Sequence, residues 1–385
     1  MDFQPTDEQE ELRDSVRAVL RQACPPTLVR QVFEAKEGEY DPAAGALWKQ
    51  MTALDWPALT IPEQYGGLGL GFVELCLVVE ELGRVAAPSP FLATVTQFAP
   101  MVREVADPEV AAAYLRPVAE GRATGALALA ESSTGRWEPA LVATTARPDG
   151  DGWVLEGCKS WVIDGAGADE IAVVARSEGS TGEDGLGVFV VPGRTVPGRH
   201  LPVIDPSLPL AELTLQGVRV GPERVLAPPG RPGAAAAVRR AVEEATVCLA
   251  ASTVGTCRTI FETTLQYAKD REQYGRPIGS FQALKHRLVE MYMLLERSAA
   301  LATFAALTIA EEDERRTVAV AMAKAAAGDC QRLMVQDGLQ LHGGIGFTWE
   351  NDLHLFLKRA KSGDFLFGTA RTHRAAVARL VGVTA

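Results

Sequence analysis

Histidine, paired cysteine, positive charge and long apolar runs are all scarce in this 385-residue chain. Of the five histidines, His342 and His354 stand twelve apart across a glycine loop, and no pair has ligand spacing. A metal centre is therefore not expected. The six cysteines (Cys24, Cys76, Cys158, Cys248, Cys257 and Cys330) are scattered with no C-x-x-C pair. That pattern excludes a zinc ribbon or disulfide framework and suits reduced thiols in a cytoplasmic protein. The net charge of −11 argues against a nucleic-acid partner. No uninterrupted apolar run approaches the length of a membrane span, so no membrane partner is expected. The first residues, Met-Asp-Phe-Gln-Pro-Thr-Asp, have neither a basic nor an apolar signal region, so no signal peptide is expected.

What is present suits a multidomain α+β protein with a large core. Apolar residues make up 47% of the chain, near the globular norm. Residues 1–122 carry helical signals. Thr6 is an N-cap candidate ahead of Leu12, Val16, Val19 and Leu20 on one face. Residues 123–231 break into short strand-like runs: Gly125–Ala130, Ala140–Thr145, Trp153–Glu156, Ser160–Ile163, Ile171–Ala175, Gly187–Val191 and Ala211–Val220. With no helix between them, they predict an antiparallel β-barrel or sandwich. Ser177–Gly185 reads as a flexible loop and Pro228–Ala237 as a linker. Residues 232–385 are helical again. Phe281, Leu284, Leu288, Met291 and Leu295 repeat at three and four, as do Val320, Ala323, Ala327, Cys330 and Met334. Long helices with short connections predict a four-helix bundle.

Two segments carry the chemistry. In Arg271–Arg287, Gly275, Pro277 and Gly279 interrupt two helical patterns, amid Arg271, Tyr274, Arg276, Lys285, His286 and Arg287. A planar cation beside an aromatic ring at a loop suits a phosphate-linked aromatic ligand. A basic surface between two helices is the alternative. In Gln340–Phe347 three glycines follow a helical stretch, where a helix C-cap needs only one. Glycines there let backbone N–H groups approach a ligand. No strand is followed by G-x-G-x-x-G and a helix, so a Rossmann site is not supported.

Together the Arg-x-x-(aromatic)-Gly-x-Pro-Ile and Gln-x-x-Gly-Gly-x-Gly-(aromatic) segments resemble the acyl-CoA dehydrogenase family of flavoproteins. Pro62–Gly69, Glu80–Gly83 and Gly157–Gly165 resemble further family segments in the family's order, so the resemblance covers nearly the whole chain. It implies a helical domain, a β domain and a helical bundle, with FAD held between the last two and covered by a neighbouring subunit. On that resemblance Arg271, Gln273, Tyr274, Phe281, Gln282, Gln340, Gly343 and Gly344 reach the neighbouring subunit's cofactor. Trp161 walls the flavin ring and Thr369 lies near the adenosine part. An acyl-CoA substrate, oligomeric assembly and an electron-transfer acceptor protein are implied as well.

The reaction centre departs from the family pattern. The usual glutamate base is replaced by Phe367 in Asp364–Thr369, and the alternative base position on the first bundle helix holds Ala245. Glu243 and Glu244 adjoin it. One residue on a helix is a rotation of about 100°, so Glu244 as base needs a shift of register, and a solvated helix face is the alternative for both. A flavin-side hydroxyl is lost at Ala130, in the altered segment Ala130–Trp137. Ile163 replaces another, and Arg371 stands where glutamine is usual. The run His342–Leu355 resembles the glutamate-lacking subunit of two-subunit actinobacterial enzymes acting on steroid side-chain thioesters. Three functions stay open: such a subunit, a self-sufficient homo-oligomeric dehydrogenase using Glu244 or another carboxylate, and a non-enzymatic acyl-CoA or flavin-binding protein.

Overall fold

The computed structural model describes residues 1–35, 42–131 and 137–383. The N-terminal helices are α1 (Asp7–Ala23), α2 (Pro26–Glu34), α3 (Pro42–Ala53), α4 (Phe72–Arg84), α5 (Phe91–Ala93), α6 (Ala99–Val105) and α7 (Pro108–Ala119). Thr6 caps α1 as its sequence predicts: its side chain accepts from Gln9 N while Gln9 returns a bond to Thr6 N. Between α5 and α6 the chain makes a π-turn, Thr94–Phe98, and the Thr94 hydroxyl there bonds Gly125 on both its N–H and its C=O.

Strands β1 (Gly125–Ala128), β2 (Thr145–Asp149), β3 (Gly152–Ile163), β4 (Glu170–Ser177), β5 (Leu186–Pro192), β6 (Gly198–His200), β7 (Leu210–Val220) and β8 (Val225–Ala227) follow. They form one sheet in the order β6-β7-β3-β2-β4-β5-β8, with β1 also against β4. The antiparallel expectation needs amending, because β1–β4 and β2–β4 are parallel. The apolar run in β4 explains this, since a strand buried on both faces does not need the alternation of a half-solvated hairpin. The runs Trp153–Glu156 and Ser160–Ile163 are one strand, because Gly157 continues the ladder instead of ending it. Ala140–Thr145 is not a strand. A 3₁₀ turn occupies Pro139–Leu141, and β2 starts at Thr145. The loop after β4 is pinned rather than loose, since the buried Arg176 guanidinium donates to Ser180 O, Gly182 O, Pro139 O and Val142 O.

The C-terminal helices are α8 (Ala234–Asp270), α9 (Gln282–Ala310), α10 (Arg316–His342), α11 (Leu353–Phe365) and α12 (Ala370–Leu380). A short hairpin, β9 (Glu272–Gln273) with β10 (Arg276–Pro277), joins α8 to α9. The predicted α9 and α10 stripes are buried at Leu288, Met291, Leu295, Val320, Ala323, Ala327, Cys330 and Met334. An 18-residue window of α9 reaches a mean hydropathy of 1.4 and is 39% buried. By length and composition it could cross a membrane, although no single apolar run marks it out. Helices packed in a core share that composition.

The chain clusters into two compact units. The first comprises Met1–Ala35, Phe72–Pro88 and the chain from Thr246, and the second comprises the segment ending at Gly71 together with Ser89–Ala245. In the first, α4 crosses α8 backbone to backbone. A Cβ on Gly83 would lie 2.1 Å from Ser252 O, and one on Gly255 would lie 1.9 Å from Glu80 O, so only glycine fits at either crossing point. In the second, the sheet core is built from Leu155, Val162, Ile171, Val173, Phe189, Val191, Leu213 and Leu215, among others.

Candidate active site

In the first unit the predicted residues fall into two groups. The Arg271 segment is a tight hairpin whose register pairs Gln273 with Arg276. Its two central residues, Tyr274 (φ 55°) and Gly275 (φ 74°), both have left-handed backbone, as a type I′ turn requires. Tyr274 at the tip is 93% exposed, and Arg271, Gln273 and Gln282 are also exposed. Phe281 is half-buried. The Arg276 guanidinium lies 4.2 Å over its ring, and Tyr274 meets it edge-on at 6.1 Å.

The hairpin root is tied to the second glycine segment. Arg271 N donates to Tyr267 O, and the Tyr267 ring stacks on His342 at 4.4 Å and 18°. His342 Nδ1 is 2.8 Å from Gly338 O, and burial pushes the imidazole pKa down. Immediately beyond lie Gly343 and Gly344, where an added Cβ would meet nothing within 4 Å. Gln340 is exposed. An exposed guanidinium, an aromatic tip and an open glycine backbone therefore stand at one end of α8 and α10. This set fits the phosphate-bearing part of a dinucleotide.

Thr369 and Phe367 belong to another place on the same unit, the turn between α11 and α12. This turn rests on Lys324 of α10, 18 residues before His342, which is about 27 Å of helix. Phe367 (φ 55°) and Gly368 (φ 97°) are both left-handed. Thr369 caps α12 by accepting from Thr372 N, and His373 Nε2–H donates to Phe367 O at 2.9 Å. Phe367 is half-buried and has no group that could take a proton.

In the second unit Trp161 sits in a β-bulge. Lys159 pairs with Leu213 and Val162 with Ala211, so one extra residue is fitted on β3. That residue is forced to φ 61°, a strained value for tryptophan and a common mark of a functional position. Ala130 lies alongside, its carbonyl accepting from Ser160 N, and Ile163 is buried. Lys159, fully buried, donates to Leu129 O and to Glu131 Oε1, and Glu131 also accepts from the N–H groups of Ala143 and Thr144. Burial pushes the Glu131 carboxyl pKa up, but the Lys159 ammonium overcomes this and leaves it below the usual value. Residues 132–136 of the altered segment lie outside the described residues.

Glu244 is not on a solvated face. It is 2% exposed, and Arg103 Nη2 donates to both of its oxygens at 2.6 Å, with Arg240 Nε at 3.3 Å. Burial pushes its pKa up, and the Arg103 guanidinium opposes the shift. Ala245 is buried too. Sequence reasoning missed Arg103, His373 and Lys324. Only Lys324 left a trace, as a lone cation in the apolar run 318–327.

Comparison with known proteins gives the family. Residues 6–122, 126–220 and 233–382 match the acyl-CoA dehydrogenase N-terminal, middle and C-terminal domain families. The chain is 31% identical to acyl-CoA dehydrogenase IpdE2 of Mycobacterium tuberculosis, covering 95% of each sequence. It superposes on one chain of the ChsE4–ChsE5 complex structure from Mycobacterium tuberculosis with TM-score 0.88 and 25% identity, covering 100% of this chain and of that one. It superposes on the Tcur3481–Tcur3483 steroid ACAD with TM-score 0.85 and 29% identity, covering 98% of both. The chain belongs to the acyl-CoA dehydrogenase family, FAD-dependent flavoprotein oxidoreductases that act on CH–CH bonds of acyl-CoA thioesters.

Proposed function

We propose that this chain is one subunit of an oligomeric acyl-CoA dehydrogenase in which another chain supplies the catalytic base. Bound FAD supplies the acceptor for the hydride that leaves Cβ of the acyl thioester. Loss of the Cα proton calls for a carboxylate within hydrogen-bond reach. At the two positions where the family resemblance expects that carboxylate, this chain has Phe367 and Ala245. Glu244 is engaged through both oxygens by Arg103, which suits an ion pair more than a base. That these three positions, all among the described residues, offer no free carboxylate is the observation that carries the reading.

The residues that hold cofactor divide as the two groups do. In the second unit Trp161, Ala130 and Ile163 serve flavin binding, and in the first unit Thr369 does. Arg271, Gln273, Tyr274, Phe281, Gln282, Gln340, Gly343 and Gly344 serve the FAD of a neighbouring copy or homologue. The separation of about 27 Å along α10 supports this division. Domains at 1–122, 123–231 and 232–385 and an electron-transfer acceptor protein complete the proposal. The steroid enzyme and the two-chain complex among the structural neighbours favour a heteromer acting on a bulky acyl group.

Expression settles the matter. Alone, the chain should purify nearly colourless. Co-expressed with a homologue that retains the glutamate, it should purify yellow and be bleached by acyl-CoA without oxygen. Glu244→Gln in that complex should leave bleaching unchanged. If the chain alone is yellow and is bleached, and Glu244→Gln stops it, the self-sufficient alternative is correct. Binding of acyl-CoA without flavin in either preparation would favour a non-enzymatic carrier.

A further inference from the structure

Lys324 is a fully buried cation whose hydrogen bonds go to main-chain carbonyls. It is 1% exposed, and its ammonium donates to Gly363 O at 2.8 Å and to Asp364 O at 3.0 Å. Those carbonyls belong to the last turn of α11, where no helical N–H remains to meet them. A cation there also complements the negative end of the helix dipole. The backbone immediately beyond is the left-handed Phe367–Gly368 turn.

Three further contacts bind the same turn. Asp364 Oδ1 accepts from Ala370 N across it at 3.2 Å. His373 closes it through Phe367 O, and Thr369 caps the next helix. Gly328, one helical turn beyond Lys324, leaves room for it: a Cβ there would stand 2.4 Å from Asp364 Oδ1 and 2.8 Å from the Ala370 Cβ. The α10 surface under this turn is thus shaped by one cation and one glycine to seat a turn that contains the left-handed Phe367 and Gly368. Burying an ammonium is costly unless it is fully bonded, and neither of its two bonds depends on the side chain at the partner position.

We propose that Lys324 is a positioning residue that locks the α11–α12 turn and thereby sets Thr369 against the cofactor. The second clause rests on the functional reading above, whereas the first does not. Lys324→Met removes both bonds, and Lys324→Gln keeps one donor group. Amide hydrogen exchange on the full chain should show protection at Gly368–His373 falling about tenfold or more in the Met variant and less in the Gln variant. Mid-helix amides of α8 and α9 should keep theirs. In the flavin-loaded complex, the Met variant should bind FAD about tenfold more weakly, with an altered visible circular dichroism of the flavin.

Unchanged turn protection in a folded variant overturns the lock, and so does an even loss throughout the helices, which marks mere packing. If the Met variant does not fold, the Gln variant decides on the same criteria. Looser exchange with unaltered flavin affinity and dichroism overturns the link to Thr369. If no preparation of the wild type takes up flavin, the functional reading fails, while the exchange comparison still judges the lock.

Discussion

At the scale of single residues, strain and buried charge separate what is built for a task from what only fills space. Trp161 carries a left-handed φ that costs on the order of 1–2 kcal/mol for a residue with a Cβ. Trp161→Gly should therefore leave the urea midpoint of the flavin-free protein nearly unchanged, because relief of strain offsets lost packing. Flavin affinity should fall by about tenfold if the indole walls the ring. An equal loss of stability in both states would make Trp161 an ordinary core residue. Glu244 shows the opposite case. Its side chain was predicted to face solvent or the reaction, yet its partner is Arg103, 141 residues earlier in the chain. A helical pattern tells which way a residue faces, but not what packs there.

At the scale of elements, the α11–α12 turn has its own acid sensitivity. Burial pushes the His373 pKa down to about 4 from an ordinary value near 6.5. As pH falls below about 6.5 the unfolded chain takes up the proton first, so stability present above that pH is lost progressively toward pH 4. The full effect is roughly 3 kcal/mol. Urea unfolding at pH 7 and pH 4.5 should show this loss in the wild type and lack that share of it in His373→Asn. If the variant and wild type lose stability in parallel, the histidine is not the cause. The turn's residues were legible as a motif, because Asp364–Thr369 matches a family segment. Its clamp was not, because Lys324 and His373 reach it from α10 and α12, and no local rule links those positions. The hairpin at Tyr274 is different. Its shape follows from neighbouring residues, since a two-residue loop ending in glycine needs nothing from afar.

At the scale of the whole molecule, the first unit presents large apolar side chains to solvent: Tyr274, Phe347 (76% exposed) and Met293 (67% exposed), with Ile345 and Trp349 beside Phe347 in the chain. Scattered exposed apolar residues are ordinary, but three within five residues, Ile345, Phe347 and Trp349, suit cover by a second chain. Tyr274→Asp combined with Phe347→Asp should shift sedimentation toward a smaller species at micromolar concentration while the helical circular dichroism is retained. An unchanged sedimentation profile would place the contacts between chains elsewhere.

The sequence by itself determined the class of fold and the family. Those rest on local chemistry: a cap, glycine-marked breaks in the helical pattern, an apolar repeat of three and four. Tertiary structure alone decided the fate of the buried charges. Glu244 became half of an ion pair and Lys324 a clamp on a helix end, because a charge enters a core only where distant parts of the chain bring it partners.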